Sequence, residues 1–436
     1  MKFYNRITEL DTLSCTLQQS TKSACFTALI GRRRVGKTAL LMKAVQSTNY
    51  LYLFVSRKSE QLLCSQFQKE AQESIGIQIF GQITDFRTLF EQLLIFSTKQ
   101  PYTLIIDEFQ ELERVNKSIF SDIQDLWDRY NETSRINLIA CGSIYSMMKR
   151  IFENEKEPLF GRINSKIILK PFTIATIKEI LQDFNPDYSN EDLLCLYLIT
   201  GGVAKYLTVL MEAGATTKEK MIDFVVRIDS PFLGEGKDLL ISEFGRDYGT
   251  YFTIIQLIAA GKTTQNEIDS IVGKNTGSYL VNLETEYSLI KKNKPLFSKP
   301  ESRGVRWNLN DNFLMFWFRF IYPNQQLIEL GKNEKLKAYI VANYEQYSGL
   351  ILERYFRDKI AQEEEFTQIG SYWDKKGENE IDIISVDSLQ KTAIIAEVKR
   401  NKNKINIATL KEKALSTNSF LSNYNIDFRS LSFEDM

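Results

Sequence analysis

The segment that most constrains this chain is G-R-R-R-V-G-K-T at residues 31–38. It matches the P-loop pattern, in which glycines let successive backbone N–H groups turn toward phosphate oxygens and a helix N-terminus follows. The context agrees, because an apolar run typical of a buried strand precedes it at 26–30 and a helix-forming run follows at 39–45. The sequence therefore predicts a phosphate-binding loop between a strand and a helix.

The residue types in this loop suggest individual roles. Lys37 is expected to reach the β- and γ-phosphates, and the Thr38 hydroxyl is expected to ligate Mg²⁺. ATP is favoured over GTP because the chain contains no N-K-x-D segment of the kind that reads guanine. The predicted nucleotide-binding residues are Gly31, Arg32, Arg33, Arg34, Val35, Gly36, Lys37, Thr38 and Ala39.

A second predicted strand carries acidic residues toward the same site. Residues 102–106 are apolar or β-prone, and Asp107 and Glu108 follow them. Because ligands bind at the carboxyl ends of strands in open α/β sheets, Asp107 is predicted to hold Mg²⁺ and Glu108 to polarise the attacking water. An ordinary strand end with two solvated acids is the alternative, which the preceding P-loop disfavours.

Two further residues are candidates for catalysis at this site. Ser143 follows an apolar run at 136–142, where it either contacts the γ-phosphate or the attacking water, or caps the next helix. Arg162 lies in a loop, where it either acts on a neighbouring γ-phosphate or has a structural role. The alternation of strands and helices up to residue 172 predicts a doubly wound parallel sheet.

Composition excludes several classes of protein. The 436 residues suggest about three domains, and 55 basic against 55 acidic residues give no overall sign of a nucleic-acid partner. The chain has no histidine, which excludes a histidine base and histidine-ligated metals. Its five cysteines form no C-x-x-C pair, and its apolar runs are too short to span a bilayer. We expect a soluble, cytoplasmic protein with no membrane partner.

The middle of the chain is predicted to be mainly helical. Residues 248–310 have the pattern of a winged helix-turn-helix, with Lys291, Lys292 and Lys294 in the wing. This module either binds DNA or serves as a protein contact or hinge, and its moderate basic charge leaves both alternatives open. The aromatic run at 311–320 is predicted to be a helix that packs in the core.

The last hundred or so residues contain a second set of carboxylates. Glu353 lies on a predicted helix, Asp382 on a predicted strand at 380–384, and Glu397 with Lys399 on another at 392–399. Residues two apart in a strand point to one face, so Asp382 and Glu397 are predicted to ligate Mg²⁺ beside Lys399. Such a metal activates water for phosphodiester cleavage, which makes all four residues candidate catalytic residues.

The charge around this second set is uneven. Residues 361–382 contain seven acids and two lysines, whereas residues 391–413 contain seven basic residues and two acids. The basic flank is expected to contact phosphates of DNA or another nucleic acid. A structural α/β domain with solvated charges is the alternative.

Together these motifs resemble the archaeal-ATPase group of AAA-type P-loop ATPases, which is related to the signalling ATPases with numerous domains. Similar members carry a C-terminal domain of unknown function that resembles the PD-(D/E)XK nucleases. The markers are Phe3-x-x-Arg6, residues 31–38, 107–110, Gly142-Ser143, 160–162, Gly201-Gly202, 311–320, 380–382 and 397–399. One departure is Ala204, which stands where the family's G-G-x-P turn has proline.

The resemblance implies an α/β fold and an ATP-driven switch. We predict an AAA-type ATPase core at 1–172, a helical lid at 173–240, a winged-helix domain with an aromatic connecting helix at 241–325, and a restriction-endonuclease-like domain at 326–436. One functional hypothesis couples ATP hydrolysis to a nucleic-acid module with nuclease activity. The other is a signalling or scaffold ATPase whose C-terminal modules only bind, with self-association or a protein partner.

Overall fold

The computed structural model describes residues 1–244, 248–299, 304–374 and 379–436. Parts of two predicted domains lie outside these described residues, namely 245–247 and 300–303 of the winged-helix domain and 375–378 of the nuclease-like domain. The described chain forms two compact units. We call residues 3–171 the first unit, and residues 1–2 with 172–436 the second unit. The four-domain division stays a prediction.

A parallel sheet of five strands forms the centre of the first unit, in the order β2–β3–β4–β1–β5. All four pairings between neighbouring strands are parallel. This sheet confirms the predicted α/β fold class. The strands are β1 Cys25–Ile30, β2 Tyr50–Phe54, β3 Tyr102–Asp107, β4 Ile136–Gly142 and β5 Ser165–Ile168.

Helices cover both faces of this sheet because its central strands are apolar on both sides. Alternate residues of β1 enter different cores: Phe26 and Ala28 pack on one face, and Leu29 packs on the other. The last strand of the sheet ends at Ile168, shortly before Pro171, which has no N–H for a strand ladder. The helices are α1 Ile7–Ser20, α2 Lys37–Val45, α3 Glu60–Ile75, α4 Phe86–Lys99, α5 Leu112–Val115, α6 Ile119–Tyr130 and α7 Tyr145–Glu153.

The second unit opens with a run of helices. Gly201 and Gly202, both with left-handed backbone conformations, form the turn between the second and third of these helices. A side chain at residue 202 would not fit, because a Cβ there would lie 2.4 Å from the Phe172 carbonyl oxygen. Ala204 is the first residue of the next helix, a position that suits proline but does not require it. The helices are α8 Ile174–Phe184, α9 Asn190–Thr200, α10 Ala204–Glu212, α11 Lys218–Val226, α12 Phe232–Phe244, α13 Tyr248–Ala259, α14 Gln265–Val272 and α15 Gly277–Thr285.

Two antiparallel strands, β6 Ile290–Asn293 and β7 Arg306–Leu309, follow α15. This order of three helices and a hairpin agrees with the predicted winged helix, although that assignment stays a prediction. The third helix ends at Thr285, and Ser288 beyond it adopts a φ of 50°, which a right-handed helix cannot continue through.

The aromatic run 311–320 is buried, as predicted for a core helix. It forms α16 Asn312–Phe316 and then a π-helical turn at Trp317–Ile321. The Trp317 indole N–H donates to the Leu233 carbonyl oxygen at 3.1 Å. Its ring packs so closely on α12 that a Cβ on Gly236 would lie 2.2 Å from it.

The last part of the second unit contains a mixed sheet of four strands in the order β11–β10–β9–β8. β10 and β11 are parallel, and the other pairs are antiparallel. The predicted strands at 380–384 and 392–399 correspond to β9 and β10. These elements are α17 Gln325–Glu329, α18 Asn333–Glu363, β8 Gln368–Trp373, β9 Glu380–Asp387, β10 Thr392–Lys399, α19 Ile407–Ala414, α20 Asn418–Leu421 and β11 Asn425–Ser432.

Within the described ranges, no helix has the length and apolarity needed to cross a membrane.

The packing on Trp317 predicts opposite effects for two glycines of α12. Gly236→Ala should destabilise the protein by about 1–3 kcal/mol, because the added methyl group overlaps the indole ring. Gly234→Ala is the matched control, since the nearest atom to its Cβ lies 3.9 Å away. It should stabilise the helix by up to about 1 kcal/mol. Thermal unfolding of both variants tests this, and equal shifts would contradict it.

Candidate nucleotide site and C-terminal carboxylate cluster

The P-loop lies between β1 and α2, as predicted. Arg34 and Gly36 have φ values of 75° and 100°, so the backbone passes through two left-handed residues before the helix begins. Gly36 tolerates this conformation at no steric cost, whereas a non-glycine residue such as Arg34 adopts it only where its surroundings impose it. The loop is therefore curled ahead of α2, whose first residue is Lys37.

Lys37 is the buried cation of this loop. Its ammonium donates to the carbonyl oxygens of Gly31 at 2.7 Å and Arg32 at 3.0 Å. Burial lowers the pKa of Lys37 from its ordinary value, and the nearby Cys141, Glu108 and Asp107 act in the opposite direction. The side chain is thus held inside the loop, in the electrostatic field of both acidic residues.

The remaining loop residues differ in exposure. Val35 is buried in the core, whereas Arg33, Arg34, Thr38 and Ala39 are exposed. The Arg33 guanidinium donates to the Ser143 hydroxyl at 3.5 Å, which connects the loop to the end of β4.

Asp107 is a buried carboxylate at the carboxyl end of β3. Its Oδ2 accepts from the Tyr52 hydroxyl at 2.5 Å, and its Oδ1 accepts from the Glu108 N–H at 2.9 Å. Burial, followed by the bond to Asp107, raises the pKa of Tyr52, so the phenol stays a proton donor. Tyr52 lies on the neighbouring strand β2. The only signal for this contact in the sequence is the alternation of tyrosine and leucine along that strand.

Glu108 adopts a left-handed conformation, with φ 55° and ψ 42°. Its Oε2 accepts from the Ser143 hydroxyl at 2.8 Å and also from the Gln110 amide nitrogen. Ser143 therefore meets Glu108, while the helix that follows it has Ile144 as its N-cap residue. This geometry disfavours helix capping, whereas the contact of Ser143 with the γ-phosphate or the attacking water stays a prediction.

Arg6 contacts the P-loop, although from the sequence it was identified only as a marker of the family resemblance. It is buried, and its guanidinium donates to the Val35 carbonyl oxygen at 3.3 Å. Burial lowers the pKa of Arg6, and Glu9 at 3.3 Å opposes this. Arg6 thus contacts the P-loop backbone directly.

Arg162 is engaged within the first unit. It forms a forked ion pair with Asp128, with Nε to Oδ1 at 3.0 Å and Nη2 to Oδ2 at 2.8 Å. Its Nη1 donates to the carbonyl oxygens of Pro158 and Phe160 at 2.8 and 3.1 Å. These contacts agree with the structural alternative for Arg162, and its action on a neighbouring γ-phosphate stays a prediction.

The second set of carboxylates predicted from the sequence, Asp382 and Glu397, also lies together beside Lys399. The Lys399 ammonium lies 3.3 Å from Asp382 Oδ2 and 3.3 Å from Glu397 Oε1. Asp382 Oδ2 also accepts from the Val398 N–H at 2.8 Å, and Glu397 Oε2 lies 3.4 Å from the Lys413 ammonium. Both carboxylates therefore lie at the same end of the mixed sheet, where the sequence did not indicate the contact of Glu397 with Lys413.

Glu353, on α18, is part of the same electrostatic cluster. Burial and then the charge of Asp382 raise its pKa to about 8, against the opposing effect of Lys399 and Arg357. Burial likewise raises the pKa of Asp382. In the part of the chain that the structure describes, no three acidic or cysteine side chains converge on a metal position. A metal here would therefore depend on the Asp382–Glu397 pair.

The basic flank at 391–413 is less available than its composition suggests. Lys399 and Lys413 pair with the cluster itself. Arg400 pairs with Glu191 at 2.7 Å, and Lys402 pairs with Asp435 at 3.5 Å. Four of the seven basic residues thus have acidic partners within the second unit.

The loop after β6 packs against β8. The Leu296 N–H donates to the Ser371 carbonyl oxygen at 2.9 Å, at a bulge in β8. Arg306 pairs with Glu380 at 2.6 Å and lies over the Trp373 ring at 4.4 Å. The predicted wing is thus in contact with the C-terminal sheet.

The raised pKa of Glu353 predicts a pH-dependent stability. Its carboxyl keeps a proton in the folded protein up to about pH 8 but loses it in the unfolded chain near 4.5. The stability that this proton confers is complete below the lower value and is lost as pH rises through the higher one. Glu353→Gln should therefore stabilise the protein at about pH 8.5, on the order of 2 kcal/mol after allowance for partial exposure.

Thermal unfolding with a chelator present measures this effect. The gap between the variant and the parent protein should shrink toward about pH 5, where both side chains are neutral in the folded state. Glu345→Gln, an exposed position on the same helix, is the control and should show no such trend. A gap independent of pH would contradict the argument.

Two family models match successive regions of the chain. The model described as an ATPase domain predominantly from Archaea matches residues 3–210. The model described as Archaea bacterial proteins of unknown function matches residues 317–414. The first match confirms the predicted P-loop ATPase and its nucleotide binding, whereas the second leaves the nuclease resemblance a proposal.

A solved structure is similar to most of the chain. The Walker-type ATPase PABY2304 of Pyrococcus abyssi superposes with a TM-score of 0.55 and 17% identity, over 72% of this chain and 96% of that one. At this identity the likeness shows the fold alone, and it agrees with the parallel sheet described above.

A sequence relative covers nearly the whole chain. An uncharacterized protein of Methanocaldococcus jannaschii is 30% identical over 409 residues, which is 91% of this chain and 87% of that protein. The chain is an ATPase, and it belongs to the family of this archaeal protein, with an archaeal-type ATPase domain before a domain of unknown function.

Proposed function

We propose that the chain is a Mg²⁺-dependent, ATP-hydrolysing switch whose C-terminal domain acts on nucleic acid. The observation that supports the ATP half is the grouping of Lys37, Asp107 and Glu108 around one end of the parallel sheet. The buried lysine lies in the field of both carboxylates. A site of this kind can hold phosphates with a cation and still present acids to a metal and to water.

The residues present fit a magnesium ion bound with ATP. Asp107 offers carboxylate oxygens at a buried strand end, and Thr38 offers an exposed hydroxyl in the first turn of α2. Both are hard oxygen donors of the kind that Mg²⁺ prefers. Magnesium, when bound, supplies positive charge to the β- and γ-phosphate oxygens. Tyr52 would keep the Asp107 carboxylate in one orientation.

Glu108 is the proposed group that polarises the attacking water. Its carboxylate lies beside the P-loop, and Oε2 is held by Ser143 and Gln110. The other oxygen, Oε1, takes part in neither of these bonds and is the one that would accept from water.

Glu108→Gln should therefore bind ATP but hydrolyse it at least about a hundredfold more slowly. Lys37, Thr38 and Asp107 remain to hold the nucleotide and metal, while the variant amide is a weak base. Titration with a fluorescent ATP analogue and phosphate release measure the two properties.

Glu111→Gln is the matched control for this substitution. Glu111 is a nearby buried carboxylate that pairs with Arg57 and Arg114, and its loss should leave turnover near that of the parent protein. If Glu108→Gln hydrolysed ATP at the parent rate, the proposed role of Glu108 would be wrong.

The observation that supports the nucleic-acid half is the meeting of Asp382 and Glu397 at Lys399. Two crowded carboxylates, one with a raised pKa, are a favourable environment for a dication. With no histidine in the chain, oxygen ligands point to Mg²⁺ or Mn²⁺. The metal, when bound, supplies water activation for phosphodiester cleavage, and Lys399 would orient that water.

A specific observation favours the second candidate, a signalling or scaffold ATPase with non-catalytic C-terminal modules. Lys399 and Lys413 already neutralise Glu397, and the rest of the basic flank is partly paired. A cluster neutralised in this way can be stable without a metal. In this alternative the domain binds a protein partner or another copy of the chain.

Asp382→Asn separates the two candidates. In the first, it should weaken Mn²⁺ binding at least about tenfold and reduce any cleavage of plasmid or single-stranded DNA, because it removes one of two metal-binding carboxylates. ATP hydrolysis should not change, since Asp382 is in the second unit. Calorimetry in an Asp107→Asn background removes the other predicted metal position from the measurement.

Asp427→Asn, on the neighbouring strand β11, is the control. Asp427 is exposed and pairs with Arg429, so its loss should leave metal binding unchanged. Cleavage assays with Mg²⁺ or Mn²⁺, with and without ATP, complete the test. The decisive comparison is between the Asp107→Asn variant and the variant that carries both Asp107→Asn and Asp382→Asn. If the two bound Mn²⁺ equally well, the nuclease candidate would be wrong and the binding-module candidate would replace it.

A further inference from the structure

We propose that Gln110 is a positioning residue that holds the Glu108 carboxylate in its productive orientation for ATP hydrolysis. The inference rests on the proposed role of Glu108. Gln110 lies two residues after Glu108, in the turn that leaves β3, and it is fully buried. Its amide nitrogen donates to Glu108 Oε2.

The other half of the same amide gives the second observation. Gln110 Oε1 is buried and accepts no hydrogen bond from the residues that the structure describes. Burying an amide oxygen without a donor is unfavourable, so an apolar side chain of similar length would suit packing better. The hydrogen bond from the amide nitrogen to Glu108 therefore explains why residue 110 is a glutamine.

The end of β4 is shaped around this amide. A Cβ on Gly142 would lie 2.5 Å from Gln110 Oε1 and 2.2 Å from the Met148 sulfur, so only glycine leaves the space. The next residue, Ser143, supplies the second donor to Glu108 Oε2 at 2.8 Å. Two donors from different segments thus converge on one carboxylate oxygen.

The backbone conformation of Glu108 is a further reason for these two hydrogen bonds to its side chain. With φ 55°, Glu108 is in a left-handed conformation that a non-glycine residue keeps only when its surroundings fix it. Two hydrogen bonds to Oε2 restrict the remaining side-chain rotation and leave Oε1 oriented for water. Loss of one donor would let the carboxylate turn, and small misplacements of a reacting group reduce turnover strongly.

The test compares Gln110→Met with Gln110→Glu. Methionine keeps the length but removes the donor, so kcat should fall roughly tenfold to a hundredfold while the KM for ATP changes little. Glutamic acid can donate to Glu108 only when it is protonated, and two adjacent carboxylates raise one pKa. The kcat of Gln110→Glu relative to the parent protein should therefore rise as pH is lowered, whereas the kcat of Gln110→Met, which has no titratable group at this position, should keep a constant ratio to the parent.

Three results would overturn the proposal. They are an unchanged or higher kcat in Gln110→Met, a loss carried by KM alone, and a Gln110→Glu activity that keeps a constant ratio to the parent at all pH values. The last result decides the matter even if the methionine variant does not fold. Glu108→Gln, assayed alongside, distinguishes failure of this proposal from failure of the proposed function. If Glu108→Gln hydrolyses ATP at the parent rate, the role of Glu108 itself is wrong. If Glu108→Gln is inactive but Gln110→Met is fully active, only the positioning role of Gln110 is wrong.

Discussion

The nucleotide site depends on one constraint, which is that β1, β3 and β4 are parallel and therefore end at the same edge of the sheet. Each strand is buried along its whole length, so a polar group can emerge only where the strand stops. The loop after β1 brings Lys37, β3 ends in Asp107, and Ser143 follows β4. The register of the ladders, such as Asp107 opposite Cys141, fixes the distance between these groups.

Sequence patterns were sufficient for the parts of the site that are local in the chain. The P-loop, the acids after β3 and the strands around Asp382 and Glu397 follow from residue types at fixed spacing. Tyr52, Gln110, Arg6 and Lys413 were not assigned roles because each acts through a contact whose partner is set by tertiary packing. The engagement of Arg162 with Asp128 has the same origin, since nothing near residue 162 in the sequence names its partner.

The two acidic clusters differ in how their charge is compensated. In the first unit, Asp107 and Glu108 are held mainly by neutral donors, namely the hydroxyls of Tyr52 and Ser143 and the Gln110 amide. In the second unit, Asp382 and Glu397 both pair with ammonium groups, and Asp382 also accepts from the Val398 N–H. Neutral donors orient a carboxylate and leave its charge for a cation, whereas lysines compete with that cation. This contrast is the physical basis for the two functional candidates.

The loop after β6 has a consequence for the C-terminal sheet as a folding unit. β8 is an outer strand of that sheet, and the Leu296 N–H donates to it while the Arg306 guanidinium lies over its Trp373 ring. Uncovered outer strands invite pairing with other chains, and proteins commonly shield them with a neighbouring segment. A fragment that began at residue 326 would lack this shield. The outer strand of the C-terminal sheet is therefore partly covered by residues that lie before residue 326 in the chain.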